Sequence, residues 1–460
     1  MKKLLKDDRL FSPNPVERET SRRLYASVKD LPIISPHGHT DPAWFASNLP
    51  FENPSALLIQ PDHYLLRMLY SQSISMEQLL QKDGPAVWRL FAANYHLFQG
   101  TPSRLWFDHA LSKIFGIEER LCKDNADRLY MQIDSCLKST DFLPRALFDK
   151  FNIEALATTE SALDDLRHHD AIRASDWRGN VITTYRPDSV IDPDYENFTN
   201  NVYRLGEITN EDTSNWQGYL NAHRSRRLAF KARGATATDH GHPSARTADL
   251  SQAECQQLLT GAIKGTLDVE SAEQFRAQML TEMAAMSLED KLVMQIHPGV
   301  HRNHNAQLFK AFGRDKGADL PRPSNYVEGL KPLLNRFGND PEFTLILFTL
   351  DESTYTRDLA PLAGHYPCVR LGPPWWFFDS PEGMLRYKRQ VIETAGFYNT
   401  SGFNDDTRAF LSIPARHDIS RRIDCRHLAE LVCDHRLDED EAENIAHILA
   451  YGLAKKTYQL

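Results

Sequence analysis

The feature that most constrains the fold is a series of eight short apolar runs that recur along the 460 residues of the chain. They lie at 31–35, 153–159, 180–185, 234–240, 291–297, 343–351, 368–372 and 399–405. Segments with helical periodicity separate them, such as 271–290 and 383–396. Apolar strands that alternate with helices are typical of a parallel sheet covered on both faces. Eight such strands predict an α/β fold, a (β/α)8 barrel of the TIM type, although the fourth and eighth runs contain small residues and glycine.

Two gaps between the runs are longer than a helical connection. Residues 41–150 are rich in helical patterns and aromatic residues, and residues 187–233 separate the third and fourth runs. Insertions after barrel strands usually cover the C-terminal face of the barrel, where barrel enzymes do their chemistry. We therefore predict an N-terminal helix and the first barrel strand in 1–40, a mainly helical insertion capping the active site in 41–150, the remainder of the barrel in 151–420, and C-terminal helices packed on the barrel in 421–460.

Composition and charge narrow the functional classes. The net charge of −9 is spread along the chain without a basic stripe, so nucleic acid is not an expected partner. The longest strongly apolar run, 343–350, is too short to cross a membrane, and the N-terminus lacks the apolar segment of a signal peptide. The six cysteines have no CxxC spacing and are typical of reduced thiols, which predicts a cytoplasmic location. The sequence leaves open whether the chain forms a homo-oligomer.

Polar and titratable residues follow the apolar runs, at the end of the strands where a barrel carries its chemistry. They are His37 and His39, Thr158, Thr159 and Glu160, Arg186 and Asp188, Asp239 and His240, His297, Asp351, Trp375 and Trp376, and Asp405, Asp406 and Arg408. A purely structural cause would not gather so many such residues at one end of the strands. Neutral imidazoles and a carboxylate suit a divalent ion such as Zn²⁺. The His37–Gly38–His39 triplet therefore indicates a metal site rather than a turn.

The pattern resembles the ligand arrangement of the amidohydrolase superfamily, with His-x-His after the first strand, a histidine after the fifth and an aspartate after the eighth. Further motifs resemble one branch of that superfamily, the uronate isomerases. These motifs are DHYLLRML (62–69), YRPD (185–188), TDHG (238–241), RNHN (302–305), PWWFFDSPEGM (374–384) and DDTRAFLSIPARHDISRR (405–422). The resemblance covers nearly the whole chain. It implies a distorted (β/α)8 barrel and the interconversion of D-glucuronate with D-fructuronate and of D-galacturonate with D-tagaturonate.

The resemblance also implies roles for eleven residues. The metal ligands would be His37, His39, His297 and Asp406, the substrate-binding residues His63, Arg186, Arg302, Trp375 and Trp376, and the catalytic residues Asp406, Arg408 and Tyr64. One divalent metal, with Zn²⁺ as the expected ion, is favoured over two. The sixth run ends in Asp351 rather than a histidine, and the fourth run lacks the bridging lysine of two-metal members. The expected partner is a small-molecule sugar acid.

Some of these assignments have alternatives. His301 and His304 compete with His297 for the metal, and Asp405 competes with Asp406, although the spacing to Arg408 favours Asp406.

Four of the substrate-facing assignments also have a structural interpretation. Trp375 and Trp376 are either core residues or walls of the pocket, because indoles pack against the C–H faces of sugars. Tyr64 lies in a helical pattern in which it could simply pack, and Arg186 could be an ordinary surface ion-pair residue. A planar guanidinium that grips a carboxylate with two hydrogen bonds is, however, what a sugar-acid site requires.

The expected reaction moves a proton between C1 and C2 of the sugar acid through a cis-enediol, whose oxygen needs electrostatic support. Asp406 would handle the hydroxyl proton, while Arg408 and Tyr64 would stabilise the enediolate or move the carbon-bound proton. Two alternatives remain at this stage. One is a mononuclear metal-dependent hydrolase, a lactonase or amidohydrolase acting on a sugar-acid derivative. The other is a sugar-acid binding protein without catalysis, which would not need a base beside a metal.

Overall fold

The structure is a computed structural model that describes residues 3–460. Its strands are β1 (Ile33–Ser35), β2 (Ile153–Ser161), β3 (Val181–Arg186), β4 (Ala237–His240), β5 (Val293–Ile296), β6 (Val300–His301), β7 (Leu320–Pro321), β8 (Leu345–Leu347) and β9 (Val369–Leu371). Seven of them form one parallel sheet in the order β1-β2-β3-β4-β5-β8-β9, while β6 and β7 form a separate two-stranded antiparallel sheet. The sheet follows chain order with helices between its strands, as in a TIM-type barrel. The predicted fold, a distorted (β/α)8 barrel, is confirmed.

The eighth barrel position is not a regular strand, so the prediction of a strand over 399–405 is wrong. This run contributes one parallel bridge, between Thr400 and Leu371. Beyond it, Gly402 adopts a φ of 77° and lies against the backbone of Ala454. A positive φ departs from the extended conformation, and a glycine offers no side chain to pack on a sheet. The chain is nevertheless tied to the first strand position, because Thr407 accepts the backbone N–H of the residue at 39 at 3.0 Å.

The long segment after β1 is helical in the structure. Its α-helices are Pro42–Ser47, Pro54–Leu58, His63–Ser71, Met76–Leu79, Gly84–Ala93, Pro102–His109, Ala126–Leu137 and Pro144–Lys150. They share an aromatic core that includes Trp88, Phe91 and Phe107, all of them buried. Burial of large aromatic side chains supplies most of the stabilisation in such a cluster.

The remaining helices surround the sheet and close the fold. They are Pro15–Val28, Arg167–Ala174, Asp188–Ile191, Phe198–Thr209, Trp216–Lys231, Gln252–Lys264, Val269–Asp290, Ala306–Phe312, Tyr326–Phe337, Ala360–Ala363, Pro381–Ala395, Ile413–Cys433, Glu439–His447 and Leu453–Thr457. The largest hydrophobic cluster lies between the outer face of the sheet and these helices. None of the helices in residues 3–460 combines the length and apolar character needed to span a membrane.

A tyrosine from the last part of the chain fills the inside of the barrel. Tyr458 is fully buried and its hydroxyl donates to Oε1 of Gln295 on β5 at 2.7 Å. The same hydroxyl accepts a hydrogen bond from Asn404 at 3.3 Å, so the irregular eighth position and β5 are joined through Tyr458.

Candidate active site

A cavity of about 720 Å³ lies at the C-terminal end of the barrel strands. All eleven residues assigned from the sequence line it, namely His37, His39, His63, Tyr64, Arg186, His297, Arg302, Trp375, Trp376, Asp406 and Arg408. They come from the ends of different strands and from the helical segment after β1. The cavity therefore brings together residues that are far apart in the chain, as a barrel active site does.

Three of these residues form a group that could hold a metal ion. The ligand atoms of His37, His39 and Asp406 all lie within 4.8 Å of one another. Both Nε2 atoms face Oδ1 of Asp406, at 3.6 Å from His37 and 3.4 Å from His39. Burial, together with the nearby guanidinium of Arg408, lowers the pKa of His39 well below its ordinary value. A neutral imidazole is the form that binds metals, so the donor set fits a divalent ion.

Hydrogen bonds from two neighbouring strand positions hold the loop that carries the two histidines. Thr159 on β2 donates its hydroxyl to the carbonyl oxygen of Gly38 at 2.8 Å. The backbone N–H of His39 donates to the carbonyl oxygen of Thr407 at 3.0 Å. Asp406 itself adopts a φ of 34°, a left-handed conformation that is uncommon for a residue other than glycine.

His297 lies outside this group of three. Its Nε2 is 2.9 Å from Oδ1 of the buried Asp239, and Arg302 donates to its Nδ1 at 3.4 Å. These contacts direct His297 toward Asp239 and Arg302 rather than toward the group of three. The role of His297 as a metal ligand stays a prediction.

Each arginine assigned from the sequence has a carboxylate partner within the cavity. The pairs are Arg186 with Asp188 at 2.8 Å and Asp239 at 3.3 Å, Arg302 with Asp319 at 2.7 Å, and Arg408 with Asp315 at 2.9 Å. Burial opposes the charge of Arg186, but the two carboxylates beside it raise its pKa above the ordinary value. The pKa of Asp188 falls to about 2, because Arg186 outweighs the opposing effect of burial. Both groups are charged at neutral pH.

The helix His63–Ser71 places His63 and Tyr64 at its first turn, beside the cavity. Asp62 caps this helix by accepting the backbone N–H groups of Tyr64 and Leu65. The ring of His63 stacks on Trp376 with centroids 4.5 Å apart. Burial is the main cause that lowers the pKa of His63 to about 3, with Arg408 contributing, so His63 is neutral at physiological pH.

Trp375 and Trp376 were either core residues or pocket walls on the sequence alone, and in the structure they are both. Trp376 is only 5% exposed and packs in a hydrophobic cluster with Tyr64 and Trp106, and it also lines the cavity. Trp375 is partly buried and lies 4.8 Å from the ring of His297. Each tryptophan is therefore a packed residue whose face is part of the cavity wall.

Two buried residues of the site were not assigned from the sequence, Asp379 and Arg416. The hydroxyl of Tyr64 lies 3.0 Å from both carboxylate oxygens of Asp379, and Nη1 of Arg416 lies 2.7 Å from Oδ2. Both residues stand inside motifs quoted above, PWWFFDSPEGM and DDTRAFLSIPARHDISRR, so a signal was present. Their pairing was not visible, because 37 positions separate them in the chain. Asp315 and Asp319 lie in a loop that no apolar pattern marks.

The fold and the site together define a class of enzyme. A TIM-type barrel with two histidines after β1 and an aspartate after the eighth barrel position, all facing one C-terminal cavity, is a barrel enzyme with the amidohydrolase fold.

Comparison with known proteins identifies the family within this class. A family model described as glucuronate isomerase matches residues 1–458. A uronate isomerase of Brucella canis is 58% identical over 465 residues, covering 99% of this chain and 100% of the relative. A uronate isomerase of Rhizorhabdus wittichii is 60% identical over 459 residues, covering 99% and 98%. The chain belongs to the glucuronate isomerase family and is an isomerase, which does not favour the hydrolase alternative.

Solved structures agree with this assignment. A crystal structure of glucuronate isomerase from Caulobacter crescentus has a TM-score of 0.98 and 57% identity, covering 100% of this chain and 98% of that one. A uronate isomerase from Thermotoga maritima has a TM-score of 0.93 and 27% identity, covering 99% of each chain.

Proposed function

We propose that the protein interconverts a hexuronate and its ketose form: D-glucuronate with D-fructuronate, D-galacturonate with D-tagaturonate, or both. One observation carries the proposal: a single cavity is lined by several arginines, Arg186, Arg302 and Arg408 among them, and by a group able to hold a metal ion. A sugar acid requires both, a cationic grip for its carboxylate and polar groups at the carbons that react. The uronate isomerases that match over the whole chain support the same substrate class.

Arg186 is the residue we assign to the carboxylate of the substrate. Its Nε and Nη1 face Asp188 and Asp239, which fix the plane of the guanidinium. The remaining N–H groups of the planar fork can donate to a carboxylate, because arginine has five such donors. Arg302 and His63 would complete this end of the pocket, and the faces of Trp375 and Trp376 would pack against the sugar.

His37, His39 and Asp406 are the residues that would hold one divalent metal, for which we propose Zn²⁺. Two imidazoles and a carboxylate are common zinc ligands. When bound, such an ion polarises a substrate oxygen and so stabilises negative charge that develops on it.

The chain's own residues would handle the protons. Conversion of the aldose removes a proton from C2 and delivers one to C1, while the hydroxyl proton on O2 passes to O1. Asp406 is suited to exchange the hydroxyl proton, because a carboxylate accepts and returns protons. Burial, together with Asp379, raises the pKa of Tyr64 well above its ordinary value, so Tyr64 stays protonated. Arg408 supplies the positive charge that an enediolate needs.

The decisive experiment incubates the purified protein with each uronate and follows ketose formation by NMR. Repeating the reaction in D₂O should place deuterium at C1 of the ketose, because a proton carried by an acid–base group exchanges with solvent. Lactone opening, measured on the same protein, serves as the contrasting reaction. Lactone hydrolysis without ketose formation from either uronate would refute the proposal. Complete retention of hydrogen over many reversible turnovers would refute the enediol route alone.

We also propose that the enzyme works in the cytoplasm. All six cysteines are free thiols, and three of them, Cys255, Cys368 and Cys425, are buried. Thiols in this state are typical of a reducing compartment. Fractionation of cells that produce the protein would test this, and recovery outside the cytoplasm would contradict it.

A further inference from the structure

Arg416 is the most deeply buried cation that lines the cavity. Its side chain is 4% exposed and belongs to the first turn of the helix Ile413–Cys433. The guanidinium lies over the ring of Trp106, 3.6 Å from the ring centroid. Burying a charge is costly unless it is paired and hydrogen-bonded, so the contacts of Arg416 decide why it is there.

One contact leads to the phenol of Tyr64. Arg416 donates from Nη1 to Oδ2 of Asp379 at 2.7 Å, and both oxygens of Asp379 lie 3.0 Å from the Tyr64 hydroxyl. The same hydroxyl accepts the backbone N–H of Phe377 at 3.2 Å. The phenol is thus fixed in direction by one acceptor and one donor. Without Arg416, Asp379 would be a buried carboxylate lacking its cation.

The other contact leads to the candidate metal ligand Asp406. Arg416 also donates from Nη1 to the backbone carbonyl of Asp405 at 3.2 Å. The next residue of the helix, His417, lies 3.0 Å from the carboxylate of Asp405. Two consecutive helix residues therefore clamp Asp405 by its backbone and by its side chain. Such a clamp explains how Asp406, the neighbour of Asp405, is held at its left-handed φ of 34°.

We propose that Arg416 is a positioning residue that fixes the phenol of Tyr64 and the carboxylate of Asp406 relative to each other, through Asp379 and the carbonyl of Asp405. The proposal rests on the proposed function, in which these two groups act on the same substrate. The guanidinium of Arg416 lies over the ring of Tyr64, 5.8 Å from its centroid, but it donates to Asp379 and to the carbonyl of Asp405 and not to the Tyr64 hydroxyl or the Asp406 carboxylate. Its effect on the reaction would therefore pass through them.

The first test is the Arg416→Lys variant. Lysine keeps the charge but is a point donor on a flexible chain and cannot reproduce the planar fork of arginine. Loss of a residue that orients metal ligands typically costs about 10- to 100-fold in metal affinity or activity. We expect kcat to fall about 10- to 100-fold, with KM for the uronate within about threefold. Zn²⁺ affinity, measured by competition with a chelator, should weaken over the same range. The matched control is Arg422→Lys. Arg422 lies on the same helix, is buried to a similar extent against Asp418, and does not line the cavity.

A double-mutant cycle with Tyr64→Phe separates positioning from a merely structural role. If Arg416 acts through Tyr64, the loss of kcat in the double variant should be smaller than the product of the two single losses. Losses that multiply, with unchanged Zn²⁺ affinity in Arg416→Lys, would overturn the proposal. An equal loss of kcat in Arg422→Lys would overturn it as well.

The Asp379→Asn variant provides a readout that does not need activity. Burial and, after it, the charge of Asp379 raise the pKa of Tyr64, so neutralising Asp379 should lower the pH at which Tyr64 ionises. An ultraviolet difference titration, with Tyr64→Phe subtracted, measures this in the metal-free protein. An unchanged ionisation of Tyr64 would refute the link through Asp379, even if Arg416→Lys fails to fold. Absence of isomerisation by the unmodified enzyme would instead refute the proposed function. The titration and the metal affinity would still test whether Arg416 positions Tyr64 and Asp406.

Discussion

The carboxylate of Asp315 lies 2.9 Å from Nη2 of Arg408, the arginine proposed to support the enediolate. The Asp315 side chain is 42% exposed, whereas Asp319, the partner of Arg302, is 4% exposed. Asp315 also stands between two glycines, Gly313 and Gly317, that both have a φ of 75°. Glycine readily adopts this conformation, so the segment can turn sharply at both ends. Asp315 is thus an accessible counter-charge for Arg408, and it competes with an anionic substrate for this arginine.

We predict that Asp315→Asn lowers KM for a uronate by about two- to fivefold, since exposed ion pairs are worth up to about 1 kcal/mol. The gain should shrink at high salt, because screening weakens the unpaired charge of Arg408. Steady-state kinetics at two ionic strengths measure both effects. The control is Glu196→Gln, which removes the same charge from the partner of Arg314 at the cavity. A higher KM in Asp315→Asn would show that Asp315 helps to bind the substrate instead.

The metal group gives a prediction that does not depend on the reaction. We expect the double variant His37→Asn, His39→Asn to lose stoichiometric divalent metal, because two of the three converging ligand atoms disappear. Elemental analysis of the folded protein measures the loss. His301→Asn changes a histidine that lines the cavity outside the group and should retain the metal. Undiminished metal in the double variant would show that the metal binds at other residues.

Arg186→Met should weaken binding of the sugar acid far more than binding of the neutral aldose analogue. A hydrogen bond to a charged group contributes about 1.5–3 kcal/mol, or roughly 10- to 150-fold in affinity. Calorimetric titration with both ligands gives the comparison. Because Asp188 and Asp239 would be left without their cation, Arg186→Lys is the better-folded companion, and it should retain part of the acid preference. Equal losses for both ligands would assign Arg186 to structure alone.

The buried pair Glu160 and His169 gives a prediction about stability and pH. Oε2 of Glu160 lies 3.7 Å from Nε2 of His169, and Thr183 donates to the same oxygen. Burial raises the pKa of Glu160 from 4.5 to about 7, although hydrogen bonds from threonines oppose the shift. Burial also lowers the pKa of His169 from 6.5 to about 4. Both groups therefore favour the neutral form in the folded protein.

The two shifts act on the free energy of unfolding in opposite directions. The contribution of Glu160 is fully present below pH 4.5 and is lost as pH rises to about 7. The contribution of His169 is fully present above pH 6.5 and is lost as pH falls to about 4. We expect the unmodified protein to show little net dependence from this pair between these limits, because the two contributions offset each other.

Removing one residue of the pair should reveal the pH dependence that the other residue contributes to the free energy of unfolding. In Glu160→Gln the free energy of unfolding should rise with pH from 4 to 6.5, by up to about 3 kcal/mol relative to the unmodified protein. In His169→Gln it should fall between pH 4.5 and 7 by a similar amount. Urea denaturation across this range measures both slopes. Parallel pH dependences for the two variants would contradict the assignment.

The barrel could be predicted from the sequence because its strands are buried on both faces and therefore read as continuous apolar runs. Seven of the eight runs contain a strand of the sheet. The eighth run has no regular strand, because Gly402 within it adopts a φ of 77° against the backbone of Ala454, a contact that only the fold reveals.

The residues of the site were predictable where chemistry alone restricts the residue type. Histidines and a carboxylate at the ends of strands suggest a metal group, and His37, His39 and Asp406 do converge. The partners of charged residues were not predictable, because long-range ion pairs leave no periodic signal. The contact between Asp379 and Arg416 is the clearest example, since neither residue reveals the other without the fold.

The position of Tyr458 in the chain determines when the barrel interior can be completed during synthesis. The hydrogen bond from its hydroxyl to Gln295 spans 163 positions in the chain, and Gln295 is fully buried in the finished barrel. A ribosome-bound chain that has not yet reached residue 458 leaves a buried amide without this donor and the space of a whole phenol ring unfilled. Partly built barrels of this kind expose apolar surface and strand edges. The barrel interior is therefore completed only after Tyr458 has been made, 163 positions later than Gln295, which lengthens the interval during which chaperones can bind the nascent chain.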